Sequence, residues 1–163
     1  MNAIVYTSRG GSTKRYAEML GKKVNLSVFS LSEAYRELKK DSEVIYLGWV
    51  LGGMVKDLGK AKKRFKLKAI GAVGLDNETV EKEAQLIVKN DASNLFMLRG
   101  AFDMDGLKGF YRLMINTMMK FMLKPENLAK MSIEDQESLK GFVDGADHVD
   151  EKNLNKMLSF LEK

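Results

Sequence analysis

Ile4-Val5-Tyr6-Thr7-Ser8-Arg9-Gly10-Gly11-Ser12-Thr13-Lys14-Arg15 passes from an apolar run, Ala3–Thr7, through glycines and hydroxyl residues into an amphipathic segment. The glycines let the backbone curl and aim successive N–H groups inward. The hydroxyls of Ser8, Ser12 and Thr13 can donate to phosphate oxygens, and a helix starting at Thr13 would add the positive end of its dipole. In open α/β sheets, ligands sit at the carboxyl ends of strands near the topological switch point, where such a loop would lie. The Gly-Lys-Ser/Thr of a Walker A loop is absent, and so is the dinucleotide pattern G-x-G-x-x-G. An ordinary glycine-rich turn capped by Ser12 or Thr13 is the plainer reading of the same residues.

Outward from this loop, short apolar runs alternate with longer amphipathic ones. Ala3–Thr7, Val24–Phe29, Glu43–Gly48, Ala69–Gly74 and Leu95–Arg99 read as strands. Thr13–Lys22 reads as a helix, with Tyr16, Ala17 and Leu20 on one face. Ser32–Lys40, Met54–Phe65, Glu78–Lys89 (capped by Asp76 or Asn77) and Glu151–Leu161 are the other helices. Strands alternating with helices of about ten residues imply parallel βαβ units in a three-layer sandwich. The expected fold is therefore α/β, a five-stranded parallel sheet of order 2-1-3-4-5 with helices on both faces. Residues 101–149 break the rhythm and read as an insertion into a single domain, 1–163.

The chain has 163 residues, enough for one domain with a proper core. It has no Cys, which excludes disulfides, thiolate catalysis and thiolate metal sites, and one His, His148, which excludes a His-rich metal site. Few groups are left to do demanding chemistry unaided, so redox catalysis would need a cofactor. Net charge is +5, but basic and acidic residues are interspersed, so a nucleic-acid partner is not expected. The start, Met1–Tyr6, lacks the basic region and the small-residue cleavage site of a signal peptide, and a cytoplasmic location is expected.

Ser8-Arg9-Gly10-Gly11-Ser12-Thr13 resembles the flavodoxin fingerprint S/T-x-T-G-x-T, which wraps the phosphate of FMN. Ser8, Gly11 and Thr13 match; Ser12 replaces the commoner Asn, and Gly10 replaces Thr and removes one hydroxyl. Within that family the chain is most similar to the menaquinone-dependent protoporphyrinogen dehydrogenases. It shares the Thr7-Ser8-Arg9 start, Leu98-Arg99-Gly100-Ala101-Phe102 at the last strand, and Phe110-Tyr111-Arg112 leading an apolar helix. The resemblance implies a flavodoxin-like fold, FMN as cofactor, and phosphate contacts from Ser8, Arg9, Gly10, Gly11, Ser12 and Thr13. It further implies that the flavin ring is held after the third strand, by Trp49, Val50, Leu51, Gly52 and Gly53, and after the fourth, by Leu75, Asp76 and Asn77. Trp49 would offer an aromatic wall, and Gly52-Gly53 a close backbone approach and a peptide flip. A core Trp and a helix-capping Asp76-Asn77 are the structural alternatives.

The implied activity is FMN-dependent oxidoreduction linked to a quinone or a porphyrinogen-like apolar substrate, with no catalytic acid or base identified. A diffusible electron carrier between protein partners is the alternative, but such carriers are acidic around the flavin and this chain places Arg9 in the phosphate loop. A third reading is an interaction module without FMN. Residues 110–124 hold Arg112, Asn116, Lys120 and Lys124 every four residues on an otherwise apolar helix. Such a helix must cover more than one side, in the core, in a homodimer contact, against an apolar substrate, or on the inner face of a membrane.

Overall fold

The fold is seen in a computed structural model that describes all residues except 76–78, 102–108, 134, 138, 140–144, 146 and 163. Its strands are β1 (Ala3–Thr7), β2 (Val28–Ser30), β3 (Glu43–Leu51), β4 (Met54–Val55), β5 (Lys66–Gly74) and β6 (Leu95–Arg99). The helices are α1 (Ser12–Val24), α2 (Leu31–Glu37), α3 (Leu58–Arg64), α4 (Val80–Asn90), α5 (Gly109–Met122), α6 (Pro125–Leu128) and α7 (Asn155–Leu161), the last preceded by a 3-10 turn over Glu151–Leu154. β1 pairs in parallel with β2 and β3, β3 with β5, and β5 with β6. The sheet has six strands in the order β2-β1-β3-β5-β6, with β4 antiparallel to β3. The expected five strands in the order 2-1-3-4-5 are corrected accordingly: a two-residue strand enters the count between β3 and β5. The architecture, α/β with a mostly parallel sheet covered on both sides, is consistent with a flavodoxin-like fold.

Alternation along each strand builds the two layers, because successive side chains leave opposite faces. Val5, Val44, Tyr46, Ile70, Ala72, Leu95 and Met97 pack with Ala34 of α2, Leu58 and Ala61 of α3 and Leu86 of α4. Ile4, Ile45, Leu47, Ala69, Val73 and Leu98 pack with Tyr16, Ala17 and Leu20 of α1 and with Leu154 and Met157 at the carboxyl-terminal end. Both faces of the central strands are thus dry, which is why those strands read as nearly continuous apolar runs.

Several element limits differ from the periodicity. α1 runs on to Val24 and closes at Asn25 in the left-handed region (φ 52), so β2 begins at Val28 rather than Val24. α2 starts at Leu31 because Ser30 and Glu33 form a reciprocal capping box. α4 is capped by Thr79, whose hydroxyl accepts from Lys82 N–H; Asp76 and Asn77 lie outside the described residues.

The expected helix over Met54–Phe65 is replaced at its start by a hairpin. Gly52 (φ 58) and Gly53 (φ 76) turn the chain back, and Val50 and Leu51 pair with Val55 and Met54. Positive φ at two successive positions is the two-residue hairpin geometry that glycine adopts freely. The buried side chain of Asn90 holds this hairpin. Its Oδ1 accepts from Val55 N–H at 2.8 Å, and its Nδ2 donates to Gly53 C=O at 3.0 Å and Leu86 C=O at 2.9 Å. Lys89 Nζ donates to Gly52 C=O at 2.6 Å.

Asn90→Ala strips Val55 N–H and Gly53 C=O of their partner in a buried place, which costs about 2 kcal/mol. Urea unfolding is expected to show that loss, with the slope unchanged. An unaltered midpoint would mean that water satisfies the hairpin and that Asn90 does not hold it.

Candidate functional site

The parallel registers bring the carboxyl ends of four strands side by side. Thr7 stands opposite Gly48, Trp49 opposite Val73, and Gly74 opposite Arg99. At this edge the β1–α1 loop meets a cavity of about 660 Å³. β1 and its loop contribute Tyr6, Thr7, Ser8, Arg9 and Gly11, α1 adds Lys14, and α2 with its cap adds Ser30, Leu31, Ser32 and Tyr35. Asp57 and Lys60, at the start of α3, complete it. A cavity of this size is in the range of small-molecule and cofactor sites.

Ser8 has the most informative side chain here. Its Oγ is buried and has no hydrogen-bond partner among the described residues. A buried hydroxyl without a partner is costly and rare, and this one belongs to a residue that lines the cavity. Next to it the backbone is open. A Cβ added at Gly10 or Gly11 would meet nothing within 4 Å, and Gly11 (φ 91) is the N-cap of α1. α1 has no side-chain cap and no acidic residue in its first turn, so its leading N–H groups and dipole are available to an anion.

Ser12 and Thr13 are both buried, and Ser12 fares differently from Ser8. Ser12 Oγ donates to Ala101 C=O at 3.2 Å and accepts from Ala101 N–H at 3.0 Å. Its hydroxyl therefore ties the loop to the chain leaving β6, and does not stand free toward the cavity. The carboxyl end of β6 is also pinned by Tyr16, whose hydroxyl donates to Arg99 C=O at 2.5 Å.

The charge at the cavity is mostly positive. Arg9, Lys14 and Lys60 line it, against the single carboxylate of Asp57. Lys60 Nζ lies 2.8 Å from Asp57 Oδ1, and that hydrogen bond holds its pKa above the usual lysine value. Tyr46, fully buried below, donates to Lys56 C=O at 2.6 Å and lies 2.9 Å from Thr7 Oγ1, so it joins the end of β1 to the segment after β4. Burial pushes its phenol well above the normal range, and it stays neutral.

The residues expected around a flavin ring are distributed otherwise. Trp49, Val50 and Leu51 belong to β3, and Gly52-Gly53 are the hairpin turn beyond it. None of the five lines the cavity. Both glycine carbonyls are anchored, by Lys89 and Asn90, so a peptide flip there would break a hydrogen bond. Leu75 follows β5 at the same sheet edge; Asp76 and Asn77 lie outside the described residues.

The periodicity reading passed over Ser30, Ser32, Tyr35, Asp57 and Lys60. Ser30-Leu31-Ser32-Glu33 carries a capping-box signature that locates the start of α2, but nothing local tells which loop α2 will face. No group of three or more potential metal-ligating side chains is assembled among the described residues. Among them no helix is long and apolar enough to cross a membrane. Compared with known proteins, the chain matches no family model and no curated protein.

Ser12→Ala is expected to cost about 1–3 kcal/mol in urea unfolding, because both polar groups of Ala101 lose their partner. A neutral result would show the clamp to be dispensable and return Ser12 to the cavity.

Proposed function

We propose that the chain is a flavodoxin-like protein that binds FMN, with the phosphate held in the β1–α1 loop. The observation that carries this reading is the buried, partnerless hydroxyl of Ser8 at the rim of the cavity. A phosphate oxygen would give it the acceptor it lacks. The fit extends to the neighbouring backbone: the loop is open at Gly10 and Gly11, and the uncapped start of α1 offers N–H donors from Ser12 and Thr13 onward. Arg9 and Lys14 supply counter-charge at the rim, and Lys60 is steered there by Asp57. This set suits a phosphomonoester, which carries up to two negative charges and three acceptor oxygens.

Bound FMN supplies the hydride and electron chemistry that no side chain of this chain offers. The chain's own part is to bind and orient. Ser8 and the α1 N-terminus would fix the phosphate, and Ser12 and Tyr16 keep that N-terminus in place against the end of β6; the ring contacts of Trp49 and Leu75 rest on the resemblance, since neither lines the cavity. The finer assignment, an oxidoreductase acting on a quinone or porphyrinogen-like apolar substrate, is supported by the resemblance and by the net charge of +5, which does not suit an acidic electron carrier.

Ser8→Ala is the decisive variant. FMN affinity is expected to fall about tenfold, the worth of one hydroxyl bond to a charged group. The stability of the FMN-free protein is expected to hold or rise, since the hydroxyl has no partner to lose. Fluorescence titration with FMN and with riboflavin, beside urea unfolding of the free protein, reads both quantities. Unchanged FMN affinity with lower stability would make Ser8 a structural hydroxyl and sink the reading.

A further inference from the structure

α4 packs on the sheet through one side and leaves the other open to solvent. Leu86 is buried in the sheet layer and Ile87 packs against it. On the open side Val80 is 80% exposed and Val88 81% exposed, and Ala84 between them is exposed too. These positions are i, i+4 and i+8, so they form one ridge about 12 Å long. Valine is a weak helix former, and water gives no reason to place two along one ridge. The patch continues past the helix end. Lys89 and Asn90 bind the carbonyls of the β3–β4 turn, and Leu51 and Met54 flank that turn, 41% and 49% exposed. Single exposed apolar residues are ordinary, but a row of them joined to a second group marks a contact surface.

The charges beside the ridge indicate what it contacts. Glu81, Gln85 and Lys89 run parallel to it, and all three are exposed. Opposite charges thus stand four residues either side of Gln85. Lys89 is held in place by Gly52 C=O, and its ammonium keeps two further donors. A uniformly acidic or uniformly basic partner would meet one of these charges unfavourably. A second α4, laid antiparallel about a two-fold axis near Ala84, meets both favourably: Glu81 lies beside the partner's Lys89, and Val80 beside the partner's Val88, each twice. The small side chain of Ala84 at the axis lets the two backbones come close. The hairpin at the end of each α4 then points toward the start of the other. That extends the contact toward the roughly 1,000 Å² that a specific interface needs.

We infer that this face binds a second copy of the chain, through an antiparallel α4–α4 contact flanked by the hairpin tips. This does not depend on the flavin reading. Sedimentation of the full chain over a concentration series is expected to show a reversible monomer–dimer equilibrium. Glu81→Lys sets lysines against each other at both ends of the contact and should weaken the dimer about tenfold or more. Adding Lys89→Glu to that variant restores opposite charges and should recover the dimer. The chain has no Cys, so Ala84→Cys gives a clean second measurement. Mild oxidation should link two copies through it, since the axis brings the two positions within disulfide reach, while the exposed Ser93→Cys, off the ridge, should not be linked. Circular dichroism checks that each variant folds; should the charge variants unfold, the cysteine pair decides alone. The inference is overturned by a monomer at every concentration, by a dimer indifferent to Glu81→Lys, by failure of the double exchange to recover it, or by equal linking at both cysteines.

Discussion

One hydroxyl, that of Tyr16, holds together the part of the molecule on which the rest depends. It donates to Arg99 C=O at 2.5 Å and accepts from Asn153 Nδ2 at 2.6 Å and Asp150 N–H at 3.3 Å. Three stretches far apart in sequence meet there: the first helix, the end of the last strand, and the approach to the carboxyl-terminal helix. Arg15 adds an outer tie, its guanidinium 2.6 Å from Asp147, and that bond holds the Asp147 carboxyl below the usual range. Both side chains of the pair are about half exposed, so it orients more than it stabilises. The buried Tyr16 bonds matter more, because without them polar groups in a dry layer would lack partners.

The same layer decides how the β1–α1 loop is presented. Ser12 is bound to Ala101, Tyr16 to Arg99, and α1 is thereby set with its uncapped N-terminus at the carboxyl edge of the sheet. On the other layer, Tyr46 joins Thr7 to Lys56 and keeps the start of α3 beside the loop. The cavity lies between these two ties. Its hydroxyls include those already used by the protein, such as Ser30 in its capping box with Glu33, and a buried one that is not, Ser8. That difference separates residues that build the site from the one best suited to meet a ligand.

The hairpin Val50–Val55 is a second case in which the surrounding structure overrides local preference. Met54–Phe65 is rich in lysine, a good helix former, yet its first two residues form a strand. Asn90, on another element, supplies the hydrogen bonds that make the turn worthwhile. A Gly-Gly pair between apolar residues, Leu51-Gly52-Gly53-Met54, is a hairpin signal in its own right, so this feature was legible in principle. α5 shows the converse. Its narrow four-residue polar stripe predicts a helix covered on more than one side, and the structure shows cover on one, from its own satellite cluster.

The sequence by itself determined the layered α/β plan, because short apolar runs of strand length and amphipathicity of period 3.6 are local signals. It also located the loop at Ser8–Thr13, since glycines and hydroxyls between a strand and a helix are a local signal. Only the tertiary structure decided that Ser12 is spoken for by Ala101 while Ser8 is not, because a hydroxyl's partner 89 residues away leaves no trace in the spacing of its neighbours. The same holds for Lys60 and Tyr35 beside the loop, and for Asn90 beneath the hairpin. Hydrogen bonds and cavities arise where elements meet, and the meeting is set by the packing of the whole sheet, not by any one stretch of chain.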